Sequence, residues 1–155
     1  MSAPRSNEVR IILQRTTGAE VWIDEKLHSS TGPGLMILFG TRTGDREESC
    51  AILADKAINL RIFEDPDGKM NLSALDIGAQ IMVVSQFTLY ADCRKGRRPG
   101  FSDAMEPAEA ERLYNKFIEL LAASGLVTRG GVFGAKMAVK FTNYGPVTIL
   151  LEHDI

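Results

Sequence analysis

Histidine is scarce in this chain of 155 residues: only His28 and His153 occur. That scarcity removes most familiar hydrolytic machinery, because a Ser-His-Asp or Cys-His site would have to use one of them, and neither lies in a supporting motif. No HExxH and no Asp/Glu cluster at metal-ligand spacing occurs, which argues against a metallohydrolase. GxGxxG and GxxxxGK are also missing, and with them the dinucleotide and P-loop readings. Cysteine is equally sparse. Cys50 and Cys93 lie far apart without CxxC spacing, so no disulfide scaffold or thiolate metal site is expected, and a reducing cytoplasmic setting fits. No apolar run approaches the roughly 20 residues of a membrane-spanning helix. Residues 1–8 lack the apolar core of a secretory signal and read as a short, disordered extension. With a net charge of -2, any polyanion contact must come from a local patch.

What is present reads as one domain over residues 9–155. Apolar content of 45% and charged content of 25% are ordinary for a globular chain. Residues 9–15 and 20–26 alternate as strands, residues 31–34 punctuate a turn, and residues 35–39 are apolar enough for a strand buried on both faces. Residues 45–61 predict a helix, with Asp45 as cap, Glu48 completing a capping box, and Cys50 on the buried stripe. Residues 65–68 form a turn and residues 80–84 a buried strand. A second helix starts near Pro107 and stops at Gly125. Residues 137–141 and 147–151 alternate about a tight turn at residues 143–146. The predicted fold is α/β: mixed β-sheets packed on a layer of two main helices in a single compact domain.

Four segments could carry chemistry. Ser85-Gln86-Phe87-Thr88-Leu89 follows a buried strand, where amides at a bend can face an oxyanion or the hydroxyls can satisfy local backbone. Gly145-Pro146 is either ordinary hairpin punctuation or a place where carbonyls are held rigidly. Arg94, Lys95, Arg97 and Arg98 crowd a loop flanked by Tyr90 and Phe101, suited to solvated surface or to a phosphate backbone with stacking at its edges. After Gly130-Gly131, Phe133 could stack on a base, while Met137 alternates with Val139 and Phe141 as a core residue and Trp22 reads as a packing residue. With few ionisable catalysts, an enzyme built this way would rely on backbone dipoles, hydroxyls or groups of its own substrate.

Several motifs in order extend this reading: Leu13-Gln14-Arg15, Gly32-Pro33-Gly34-Leu35, and residues 59–63, 68–71, 85–92, 94–99 and 143–148. Together they resemble the D-aminoacyl-tRNA deacylases over residues 9–151. Departures are the residues before Val9, Cys93 where that family commonly has Thr, and Tyr144 inside the Gly-Pro motif. The resemblance implies a deacylase-type fold without cofactor or metal, and a homodimer with active sites at the subunit interface. Its partner would be aminoacylated tRNA and its activity hydrolysis of D-aminoacyl esters, glycyl-tRNA included. Ser85, Gln86, Phe87 and Thr88 would line the pocket for the terminal adenosine and its ester. Gly145 and Pro146, joined by a cis bond, would enter the neighbouring subunit's pocket and exclude L side chains. Phe133 would pack on adenine, Ala135 and Met137 would bound the pocket, and Arg15 would brace the Gly-Pro turn. The terminal 2′-OH of the tRNA would help activate water. Two alternatives remain open: an editing deacylase for another misacylated tRNA, and a non-catalytic nucleic-acid-binding module using the basic loop.

Overall fold

Alternating apolar residues near the N-terminus build one long strand rather than two. In the computed structural model, which describes residues 8–153, β1 runs unbroken over Arg10–Ile23. The expected strand over residues 20–26 is the end of β1, a two-residue turn and the start of β2 (Lys26–Thr31). Asp24 and Glu25 both have positive φ, 49° and 65°, as in a type I′ hairpin turn, which composition hides when glycine is missing. The extension expected over residues 1–8 lies outside the described residues except for Glu8, which is buried and whose carbonyl accepts from the Tyr90 hydroxyl.

After β3 (Gly34–Gly40) comes α1 (Glu47–Asn59), which starts later than expected and without the capping box. Arg46 holds the cap position with no side-chain bond, and Asp45 Oδ2 accepts instead from the Arg42 amide at 2.6 Å. Strands β4 (Phe63–Glu64) and β5 (Met70–Leu72) pair across the expected turn at residues 65–68. A single turn, α2 (Ala74–Ile77), is capped reciprocally by Ser73 and Asp76 and leads to β6 (Gln80–Ser85). A 3-10 turn, Phe87–Tyr90, follows. Then α3 (Pro107–Ala122) begins at the expected proline, with Glu106 accepting from the amides of Ala108 and Glu109. It ends before Gly125. Strands β7 (Thr128–Gly130) and β8 (Ala138–Glu152) complete the chain.

The expected tight turn at residues 143–146 is not a hairpin. β8 passes straight through it, antiparallel to β1 on both sides. Two steps along β1, from Gln14 to Thr16, face five along β8, from Thr148 to Asn143. The surplus residues are extruded as a bulge, and the Gly145-Pro146 bond within it is cis. Bulges bend a strand without ending its pairing, so the Gly-Pro punctuation that ordinarily marks a turn here marks an interruption.

The main sheet runs β2-β1-β3-β6-β7, with β8 on the other flank of β1. β3, β6 and β7 are mutually parallel and β1 is antiparallel to its neighbours. Successive side chains of β3 and β6 therefore serve two cores. Leu35, Ile37, Phe39, Ile81 and Val83 meet α1 and α3, while Met36, Met82 and Val84 join Ala19 and Val21 on the other face. Full burial of each such side chain contributes about 1.5–3 kcal/mol. Among the described residues no helix is long and apolar enough to cross a membrane.

The loop between β3 and α1 contains one buried carboxylate. Burial pushes Asp45 from 3.8 up to about 6, opposed by the amide and guanidinium of Arg42. Below pH 3.8 both native and unfolded states hold this proton; between 3.8 and about 6 only the native state does. Stability from this group therefore falls as pH rises through that window, by on the order of 3 kcal/mol. Asp45→Asn is expected to flatten the decline in melting temperature between pH 4.5 and 7. Parallel wild-type and variant curves would show that Asp45 titrates normally.

Candidate active site

The site is assembled where parallel strands end. Ser85 terminates β6, level with Phe39 on β3, and the Gln86 amide continues the pairing by donating to the Phe39 carbonyl at 2.8 Å. The chain then turns into the 3-10 element, where Gln86 Nε2 donates to Thr88 Oγ1. Phe87 is exposed and rests edge-on against Phe101, ring centroids 4.8 Å apart. Arg10 on β1 secures this turn by donating to the Leu89 carbonyl at 2.6 Å and lying over the Tyr90 ring. Nothing in the local sequence around Arg10 marks that role; its place in an alternating strand is the only signal.

Beside the end of β6 runs the segment from β7 to β8. Tyr114 of α3 joins the two: its hydroxyl donates to the Val83 carbonyl at 2.7 Å and accepts from the Gly131 amide at 3.2 Å. Burial raises its pKa to about 12, so it stays protonated and able to donate. A β-carbon on Gly131 would lie 2.3 Å from Met137 Sδ, so the absence of a side chain lets Met137 fold back toward the second core. Phe133 packs on Tyr114 with centroids 6.1 Å apart.

Two cavities flank Gln86 and Phe87. One of about 460 Å³ is lined by Phe39, Gly40, Thr41, Ser85, Gln86, Phe87, Phe101, Phe133 and Gly134, with residues 104–107 and Ala110 closing its far wall. The other, about 220 Å³, lies between Val84, Ser85, Gln86, Phe87, Gly134, Ala135, Met137 and Val139. Ser85, Gln86, Phe87, Phe133, Ala135 and Met137 are thus brought together, whereas Thr88 is exposed and lines neither cavity. The far wall escaped the sequence reading because it carries no motif. Among the described residues, Glu106 is the one ionisable residue lining either cavity, and its carboxylate caps α3.

Gly145 and Pro146 lie elsewhere. Arg15 is level with Leu35 and Ile81, four residues along the strands from Ser85 and so about 13 Å away in that direction. The bulge is on the opposite flank of β1 from β3. Arg15 reaches it directly, donating from Nε to the Tyr144 carbonyl and from Nη1 to the Ile62 carbonyl, each at 2.9 Å. The bulge is closed internally by Asn143 Oδ1, which accepts from the Val147 amide at 2.9 Å.

The basic loop is exposed, but its cations are not equivalent. Arg94 is paired with Asp92, at 2.9 and 2.8 Å, and this pairing holds the Asp92 carboxyl down near 2. Lys95, Arg97 and Arg98 are exposed without an ion pair among the described residues. Of the aromatics at the loop's edges only Phe101 is open; Tyr90 is buried and bonded to Glu8. The two histidines are distant in role, His28 exposed on β2 and His153 bonded to Ser49.

The chain is thus a mixed α/β domain with an apolar cleft at parallel strand ends and, among the described residues, one ionisable group lining it. A family model described as D-Tyr-tRNA(Tyr) deacylase matches residues 12–152, and the chain belongs to that family. The D-aminoacyl-tRNA deacylase of Syntrophotalea carbinolica is 53% identical over 144 residues, 93% of this chain and 97% of that protein. That of Thermotoga petrophila is 49% identical with the same coverage. Among solved structures, the c-Myc DNA Unwinding Element Binding Protein superposes with a TM-score of 0.84 at 38% identity, covering 92% of this chain and 97% of its own. A "probable eukaryotic D-amino acid tRNA deacylase" has a TM-score of 0.81 at 17% identity, covering 94% and 100%, a likeness of fold alone.

Because the one Tyr114 hydroxyl serves both the Val83 carbonyl and the Gly131 amide, Tyr114→Phe is expected to cost about 1–3 kcal/mol in urea unfolding. A loss below about 0.5 kcal/mol would mean that water or a shifted backbone replaces it.

Proposed function

We propose that this protein hydrolyses the ester of D-aminoacyl-tRNA, and of misacylated glycyl-tRNA, releasing free tRNA and amino acid as a chiral proofreading step in the cytoplasm. The observation that carries this reading is an apolar cleft whose one ionisable residue, Glu106, is committed to capping a helix. Such a cleft suits a substrate that brings its own reactive group. The 2′-OH of a terminal adenosine is one, adjacent to the ester it would help cleave. Ser85, Gln86, Phe87 and Thr88 would frame the adenosine and ester, with Phe133 against the base and Ala135 and Met137 at the boundary. The Gln86 amide is already spent on Phe39, so an oxyanion at this bend would draw on the amides that follow it.

In this reading the protein acts as a homodimer. Gly145 and Pro146 stand apart from the Ser85 cleft of their own chain, on the far flank of β1, and would serve the neighbouring subunit's cleft. Their carbonyls would hold the substrate ammonium group while backbone blocks the L side. The purified protein is expected to deacylate D-Tyr-tRNA and Gly-tRNA much faster than L-Tyr-tRNA, with no acyl-enzyme on rapid quenching, since no histidine stands ready to activate Ser85 or Thr88. A trapped aminoacyl adduct on either hydroxyl would reverse the mechanism, and tRNA binding without hydrolysis would favour a binding module.

Lys95, Arg97 and Arg98 would track the tRNA backbone; Arg94, held by Asp92, would contribute less. Neutralising Arg97 and Arg98 together should weaken tRNA binding and reduce the slope of log affinity against log salt by about 1.4–1.8. Chiral preference should stay unchanged. Equal slopes would return the loop to ordinary solvated surface.

A further inference from the structure

Tyr144 directly precedes the Gly145-Pro146 pair, and the structure gives its ring a place. The Arg15 guanidinium is buried, tied in its plane to the carbonyls of Tyr144 and Ile62 and lying 3.8 Å from the Glu64 carboxylate. It presses on the bulge itself: a β-carbon on Gly145 would come within 2.7 Å of Arg15 Nη2. Hydrogen bonds in the plane leave the faces of a guanidinium uncovered, and Arg15 Cζ lies over the face of the Tyr144 ring, 5.3 Å from the ring centroid. Guanidinium faces are weakly hydrated, so an aromatic cover costs little solvation and adds cation–π attraction. Glu64 is more than half exposed, so its charge contributes little to holding Arg15 in place.

We propose that Tyr144 is a positioning residue, whose ring pins Arg15 and through it the orientation of the Gly145-Pro146 carbonyls that select chirality. The proposal rests on the function given above. The mechanical link is short. Arg15 grips the carbonyl of the Tyr144–Gly145 peptide, and any tilt of that peptide passes to Gly145, which sits at φ 131°. The contact needs an aromatic face and no hydroxyl.

Tyr144→Phe keeps the face, whereas Tyr144→Thr keeps the backbone carbonyl and loses the ring. Within its own chain Tyr144 is 56% exposed, so neither change opens a cavity in that chain's core. Two readouts are compared: the ratio of kcat/KM for D-Tyr-tRNA over L-Tyr-tRNA, and the solvent exchange of the Arg15 Nε–H by NMR. With Tyr144→Thr the ratio should fall about fivefold and Arg15 Nε–H should exchange faster, while Tyr144→Phe should match wild type in both. If Thr leaves either readout unmoved, or Phe fails to preserve them, the positioning role is overturned. A wild type that does not hydrolyse D-Tyr-tRNA would instead overturn the functional reading. Exchange then decides whether the ring pins Arg15, acceleration in Thr but not in Phe supporting the clamp and any other result refuting it.

Discussion

β1 hydrogen-bonds to three other strands, and both signature segments take their positions from that arrangement. One edge of β1 is divided between β3 and β2, while β8 occupies the other along nearly its whole length. A strand so enclosed cannot slip, since a one-residue shift would exchange its buried and outward faces. The mismatch with β8 is therefore expressed in β8, as the bulge carrying Gly145-Pro146. Two arginines of β1 then reach outward, Arg10 to the turn after Ser85 and Arg15 to the bulge. The two segments are distant in sequence and separate in space, yet both are referenced to one rigid element.

The cleft depends on the same period-two logic. β3 and β6 are buried on both faces because helices cover one and the curled sheet covers the other, so neither strand can end in a flexible tip. Ser85 inherits that rigidity. Tyr114 extends it sideways to Gly131, and Phe133 follows into the wall of the larger cavity. The ends of β3 and β6 give the cleft an ordered floor, on which the loop residues Phe101, Met105 and Phe133 add walls; such backing would matter where positioning replaces acid–base chemistry.

Much of this was legible in the sequence, for identifiable reasons. Residues 35–39 and 80–84 read as buried strands because apolar runs of that length have few other uses, and α3 announced itself through Pro107 and its stripe. The helical layer and mixed sheets followed. What failed was local chemistry reused for another purpose. Asp45 looked like a cap and instead closes the Arg42 turn; Gly145-Pro146 looked like a hairpin and instead interrupts a strand; Asp24-Glu25 makes a hairpin turn without glycine. Tyr90 seemed available for stacking but is buried against Glu8. Arg10 and the far wall of the cleft were invisible because their roles arise from pairing register and tertiary contact.

The scarcity of titratable groups in the cleft has a consequence for selectivity as well as for catalysis. A cleft with a strong general base would hydrolyse any ester positioned near it, so discrimination would rest on binding alone. Here the lining supplies shape, hydroxyls, amides and aromatic faces, while its one carboxylate is engaged by helix amides. In the proposed reading, rate would depend on whether the substrate's own groups are brought into line, and misalignment by about 1 Å can cost two orders of magnitude. Rejection and catalysis would then be one geometric requirement: a substrate whose side chain meets a rigid wall would also be one whose reacting atoms are displaced. That requirement places its demand on rigid backbone, which the enclosed β1, the two-sided burial of β6 and the Arg15-braced bulge provide.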